Sequence, residues 1–334
     1  MKTISRGLLL GVPFVAFALG LHAQFAFVTN AAGTITITSY TGAGGAVSIP
    51  PFLGGLPVTS LETNSFYLAT NVTSVTVPDS VTNIGTGAFE GCVSMTSITL
   101  PQNLGSINSS VFQSCFQLSS ISIPTTVTNL GNSTFYNCFS LHSIYIPANV
   151  ASVGLAVFDG CLNLTRARIP SLVASVPPAA FANCYGLTNV IIAGPVTNLG
   201  TQAFYNCPSL TSLVFAGNAP EADKSVFQSD NQPIVYYETN TTGWDAFSAS
   251  TGLQVILWNP VIQQPQAVST GNNVTLSFYI NGTPNIPILV EAGPTLLAGS
   301  WIPLQSFALT NGSVYFTDSN AATVPSRFYR IAFP

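Results

Sequence analysis

The sequence predicts a mainly β protein: a solenoid of about seven 23-residue coils with end caps, followed by a small antiparallel β-sandwich. Three observations carry this. Cysteines recur at one fixed interval, as Cys92, Cys115, Cys138, Cys161, Cys184 and Cys207. Phenylalanine and leucine keep constant offsets around each of them. Near Trp258-Asn259-Pro260 the period stops, and short alternating runs separated by Asn281-Gly282 and Asn311-Gly312 take over.

The repeat has further columns. Three residues before each cysteine stands Phe89, Phe112, Phe135, Phe158, Phe181 or Phe204, and the column extends to Phe66 and Phe227. In those two outer repeats the cysteine slot holds Ala69 and Asp230. Three residues after the cysteine comes Met95 or a leucine (Leu118, Leu141, Leu164, Leu187, Leu210). Pairs such as Ile98/Leu100 and Ile121/Ile123 then alternate with polar residues, the period-two pattern of a half-buried strand. A proline usually ends the run (Pro78, Pro101, Pro124, Pro147, Pro170), since it has no N–H to give a ladder. Glycine follows at a bend (Gly85, Gly131, Gly154, Gly200), before a short turn or helical piece carries phenylalanine inward. One unit cannot bury these side chains alone; stacking at the interstrand spacing of about 4.8 Å makes each coil the lid of its neighbour.

That stacking decides the reading of the cysteines. A disulfide framework expects irregular spacing around a small core. Here every cysteine fills one equivalent slot, and stacked slots have parallel Cβ vectors with Cβ atoms too far apart for a bridge. A ladder of buried free thiols is expected. Zinc fits less well, because ligands would lie along a column rather than around a point.

Composition bounds the rest. Only 5% of the 334 residues are charged, and Ser, Thr, Asn and Gly fill the polar positions. Residues 1–23 carry Lys2 and Arg6, an apolar stretch and a small residue before Gln24, the pattern of a secretory signal peptide. Its removal takes the net charge from −4 to −6 and leaves five basic residues, unsuited to nucleic acid. No membrane span is expected after cleavage. The remaining boundaries are 24–57 for an N-terminal β cap, 58–257 for the solenoid with its closing unit, 258–266 for a linker, and 267–334 for the sandwich module. Within that module Glu291, Asp318 and Arg330 are candidates for a buried ion pair.

The pattern F-x-x-C-x-x-L-x-x-I-x-I-P-x-x-V-x-x-I/L-G, running roughly from Val58 to Val255, resembles the BspA-type leucine-rich repeat of bacterial and some protist surface proteins. The resemblance implies a right-handed leucine-rich-repeat solenoid, secretion or surface display, and macromolecular recognition; it supplies no catalytic residues. Ala193-Gly194-Pro195 and Val176-Pro177-Pro178 depart from the pattern and predict local distortion in the fifth and sixth coils.

Catalysis finds little footing. His142 is the single histidine after residue 23, and no nucleophile or orienting acid stands beside it in the pattern. Glu90 and Asp159 share a column but lie three coils apart, about 14 Å at the interstrand rise. No calcium loop, phosphate loop or other cofactor motif occurs. Recognition is the better reading. Outward strand positions form a Ser/Thr face that changes at its centre to His142, Tyr145, Arg166, Arg168 and Ile191, residue types favoured in binding sites. These five are the candidate contacts for an extracellular protein or glycan. Drift on a solvated face, or Tyr145 stacked on Arg168 for local stability, accounts for the same residues. A structural envelope component tethered by the sandwich, and a polysaccharide-active enzyme on a solenoid platform, are the alternative functions.

Overall fold

The computed structural model describes residues 24–270, 273–297, 300–319, 321 and 327–334. The signal peptide expected over residues 1–23 lies outside the described residues. The chain forms two compact units, one reaching to Leu164 with Ala179–Tyr185, the other containing Thr165–Pro178 and Gly186–Pro334.

In the first unit, each coil contributes to two parallel ladders. One ladder joins Gly45–Ser48, Val72–Thr76 and Ser97–Thr99, with Ser74 facing Ser97 and Thr76 facing Thr99. It continues as the single parallel bridge Ser122–Tyr145. The other ladder consists of two-residue strands, Ser106–Ile107, Asn129–Leu130 and Ser152–Val153. The sequence pattern shows only the bend after these residues. At Gly131 and Gly154 the coils approach so closely that an added Cβ would meet backbone of the preceding coil at 2.4 Å. The N-terminal cap is a hairpin: Phe25–Thr29 runs antiparallel to Ile35–Tyr40, which pairs in parallel with Leu56–Leu61. The hairpin covers the outer edge of Leu56–Leu61, whose other edge pairs with Asn83–Ile84, and that edge would otherwise present unpaired backbone groups.

Between the ladders lies the core. Phe89, Phe112, Phe135 and Phe158 are each fully buried, with neighbouring rings 5.4–5.9 Å apart and nearly parallel. Burying one such ring contributes roughly 1.5–3 kcal/mol, so the column is the main apolar contribution of this half-coil.

The second unit carries five parallel strands on one face: Arg166–Ile169, Asn189–Ile192, Ser212–Phe215, Ile234–Tyr237 and Val255–Leu257. The register is unbroken past Ala193-Gly194-Pro195 and Val176-Pro177-Pro178, since Ser175 still faces Asn198. A helix, Trp244–Thr251, closes the apolar interior. Its Trp244 stacks on Tyr237 at 4.9 Å and meets Phe215 edge-on at 5.2 Å. Among the described residues no helix is long and apolar enough to cross a membrane.

The C-terminal module is a sandwich of two three-stranded antiparallel sheets. One contains Val261–Thr270, Asn273–Asn281 and Ser313–Asp318; the other contains Ile302–Ala308, Pro287–Gly293 and Phe328–Ala332. Residues 261–266, expected as linker, are therefore already strand. Pro265 is tolerated because it sits on an edge strand within a register shift, between Gln263 and Gln266. The ion pairs also differ from the simplest sequence expectation. Arg330 pairs with Glu291 at 2.6 Å, but Asp318 is taken by Arg327 at 2.8 Å. Arg330 faces Glu291 across neighbouring strands, whereas Arg327 lies just before that strand, where it reaches Asp318.

Candidate functional site

The cysteine column is structural. All six cysteines are free and fully buried. The thiol of Cys115 donates to the Phe89 carbonyl at 3.2 Å, and Cys138 repeats this toward Phe112 at the same distance. From Cys92 to Cys184 the partner is the phenylalanine one coil earlier, so each of these five thiols satisfies a carbonyl inside the stack. Burial pushes the Cys92 thiol up to about 12 and the thiols of Cys115, Cys138 and Cys161 well above their usual range. These groups stay protonated and shielded, the reverse of a reactive thiolate.

The acids and the histidine do not converge on a common point. His142 is exposed, with Nδ1 2.5 Å from the Ser140 carbonyl. Glu90 accepts a hydrogen bond from Gln113 at 3.3 Å, and Asp159 accepts one from Asn183 at 2.9 Å. Desolvation raises both carboxyls. Among the described residues no group of three or more His, Cys, Asp or Glu side chains is placed to hold a metal ion.

The strand face is where the surface changes character. In the first unit its outward residues are small and mostly solvated, including Thr76, Ser97, Thr99, Ser120 and Ser122, until the exposed Tyr145. His142 also lies in this unit. In the second unit the face begins with Arg166 and Arg168, both exposed, on one strand. Register then defines two rows. Arg168 is followed by Ile191, Val214, Tyr236 and Ile256; Arg166 is followed by Asn189, Ser212 and Ile234.

The first row is covered from within the chain. Val214 and Tyr236 are 4% and 5% exposed, in one apolar cluster with Phe278, Ile288 and Phe316 of the sandwich. Ile191 and Ile256 pack against that cluster. Ile191, a candidate ligand contact by sequence, is thus engaged by the module. The apolar turn in this outward column is a docking surface for the second sheet layer, and periodicity alone does not reveal its occupant.

The second row stays open and floors a groove of about 360 Å³. Arg166, Thr188, Asn189, Thr211 and Ser212 line its polar side; Ile234, Tyr236, Pro287, Phe333 and Pro334 line the other. Tyr236 and Phe333 hold each other with ring centroids 5.1 Å apart. The Asn189 amide donates to the Ser212 hydroxyl at 2.9 Å, fixing the floor. No carboxylate side chain lines the groove, and among the described residues Arg166 has no ion-pair partner. Of the five sequence candidates, the structure places Arg166 in this groove, Arg168 exposed beside it on the same strand, and Ile191 under the module. His142 and Tyr145 belong to the other unit. Asn189, Ser212, Tyr236 and Phe333 were missed. The first two were visible as column members; the aromatic pair depends on how the module lands.

The sequence matches the BspA type leucine rich repeat region family, in six copies, over residues 59–188 and 156–265. Among solved structures, the chain is similar to the Treponema pallidum leucine rich repeat protein, at 31% identity and a TM-score of 0.54, covering 57% of this chain and 89% of that one. A leucine-rich repeat protein from Bacteroides ovatus is 21% identical, with a TM-score of 0.45 over 70% of this chain and 75% of the other. No curated protein matches the chain. The family match runs over more than half of the 334 residues, and it rests on the same coils whose phenylalanines and thiols form the core: this protein belongs to the BspA-type leucine-rich repeat family.

Proposed function

We propose that the protein is a secreted or surface-displayed, non-catalytic recognition protein that holds an extracellular protein or glycan on the outward strand face, with the groove beside Arg166 as its main contact. The observation that carries this reading is an arginine with no ion-pair partner among the described residues, in a groove that pairs polar hydrogen-bonding groups with an aromatic wall. Such a groove suits a carboxylate joined to an apolar surface, as in an acidic sugar. The guanidinium takes the carboxylate through paired N–H donors, Asn189 and Ser212 serve neighbouring hydroxyls, and Phe333 covers the apolar face. Arg168 adds positive charge beside the groove and accelerates encounter with an anionic partner.

The test is a screen of chain 24–334 against glycans ending in uronic or sialic acids, their neutral counterparts, and extracellular proteins. Binding to a carboxylate-bearing ligand should fall by about a hundredfold in Arg166→Glu, since loss of a desolvated charge pair costs on the order of 2–5 kcal/mol. Arg166→Lys should retain part of it. Equal affinity of wild type and Arg166→Glu, at unchanged thermal midpoint, would remove the groove from consideration.

A further inference from the structure

The sandwich module has a second surface that the strand-face reading leaves unused. In its sheet of Val261–Thr270, Asn273–Asn281 and Ser313–Asp318, side chains alternate between the core and the outside. Phe278, Ile280 and Phe316 point inward and are almost fully buried. On the outer side, Tyr279 and Tyr315 stand directly opposite each other on neighbouring strands. Their ring centroids are 4.8 Å apart at a 53° tilt, and they remain 44% and 51% exposed. Gln263 continues the same row on the third strand.

Polar, uncharged groups border the two rings on both sides. The Asn281 amide donates to the Gln263 side-chain oxygen at 2.7 Å, and the Ser313 hydroxyl donates to the Asn281 oxygen at 2.6 Å. Ser277 and Thr317 bond through their hydroxyls at 3.1 Å across the next row. These bonds fix amide and hydroxyl groups in the rows on either side of the rings, Ser277 itself being buried. Apart from Asp318, which is buried and paired with Arg327, the three strands contain no acidic or basic residue.

We propose that this outer sheet face is a binding platform for neutral glycans. A pyranose ring has an apolar C–H face and a rim of hydroxyls, which match aromatic rings flanked by fixed amides and hydroxyls. The missing charge selects as well. A phosphorylated, nucleic-acid or acidic ligand would be desolvated here without any cation to receive it, whereas a neutral polymer has no charge to desolvate. Tyrosine suits the task because it offers a large amphipathic surface with few rotatable bonds to freeze. The site is separate from the Arg166 groove and independent of its function.

The experiment is affinity electrophoresis of chain 24–334 through gels containing neutral β-glucan, xylan or galactomannan, with alginate as the charged control, and pull-down on cellulose and chitin. At least one neutral polymer should retard the wild type, and Tyr279→Ala/Tyr315→Ala should weaken binding by about tenfold or more, equivalent to about 1.4 kcal/mol. Tyr279→Phe/Tyr315→Phe should keep most of it, because stacking survives loss of the hydroxyl. Thermal midpoints confirm that each variant is folded. Arg166→Glu should bind the neutral polymer as wild type does; loss there instead would transfer neutral binding to the groove and overturn the proposal. Three other results would also overturn it: no retardation by any neutral polymer, undiminished binding by the double alanine variant, or a concentration-dependent dimer that the same variant abolishes.

Discussion

Asp230 occupies the cysteine slot of its repeat, and that misfit makes stability depend on pH in a defined direction. Its Oδ1 accepts a hydrogen bond from the Cys207 backbone N–H at 2.6 Å, while Oδ2 is buried without a partner. Desolvation raises the carboxyl from 3.8 to about 7, against the lowering effect of the Cys207 hydrogen bond. Below pH 3.8 the group is protonated in both folded and unfolded chains and has no effect. Between 3.8 and about 7 the folded state holds a proton that the unfolded state has released, so stability falls as pH rises. Above 7 the loss is complete. The full shift corresponds to roughly 4 kcal/mol, and because the side chain is only half-buried, solvent screening reduces this to about 2 kcal/mol. Asp230→Asn keeps the acceptor for Cys207 and removes the charge. Urea midpoints followed by tryptophan fluorescence, recorded from pH 4 to 8, should diverge with pH. The variant should be about 2 kcal/mol more stable at pH 8 and nearly equal to wild type at pH 4. Other titrating groups are common to both chains and cancel in the difference. Parallel pH profiles for the two proteins would refute the reasoning.

Other outcomes follow from the same packing. A thiol reagent at pH 8 should label almost none of the six cysteines in the native chain and all six in denaturant without reductant, because the thiols are buried and unbridged. Ala156 holds a left-handed backbone at φ 50°, which costs a non-glycine residue about 1–2 kcal/mol. Ala156→Gly should therefore raise stability by up to about 1 kcal/mol after the entropy cost of glycine, seen as a higher thermal midpoint. Val214→Asp places a charge in the apolar cluster beneath the module. Limited proteolysis should then cut between Trp258 and Val261 at least tenfold faster, a change of about 1.4 kcal/mol, while the solenoid thiols stay protected.

The interior of the coil was legible because one contact is repeated at every level. Phe112, Cys115 and Leu118 are fully buried, and so are their counterparts one period on, Phe135, Cys138 and Leu141. Each apolar column has the same neighbour above and below, so spacing in the sequence is spacing in the core. What spacing does not encode is backbone conformation. The coils from Phe66 to Phe204 each turn through two left-handed residues, such as Ser110 and Ser114 or Ser133 and Asn137, where only some use the glycine that would betray the turn. The short ladder through Asn129–Leu130 is hidden for a related reason, since two residues are too few to display a strand period. The helix Trp244–Thr251 was obscured because its buried residues fill the end of the stack rather than one stripe of an amphipathic helix.

The outward face obeys a different logic, and the candidate site shows it. A column of serines and threonines that turns to Ile191, Val214, Tyr236 and Ile256 has gained an apolar neighbour, but the column cannot name it. A ligand, a second protein and another part of the same chain all ask for the same side chains. Here the neighbour is the sandwich, which buries Val214 and Tyr236 with its own Phe278 and Ile288. Arg166 and Arg168 mark the start of this change, where the parallel row through Asn189 and Ser212 stays polar. The module therefore does two things at once: it removes the apolar row from solvent, and by bringing Phe333 against Tyr236 it supplies the aromatic wall of the groove. A solenoid lacking the module would keep Arg166 and Asn189 but lose that wall, together with Pro287. The recognition proposed for the groove therefore requires the two layers jointly, and truncating the chain after Trp258 should abolish it even though every polar contact residue remains.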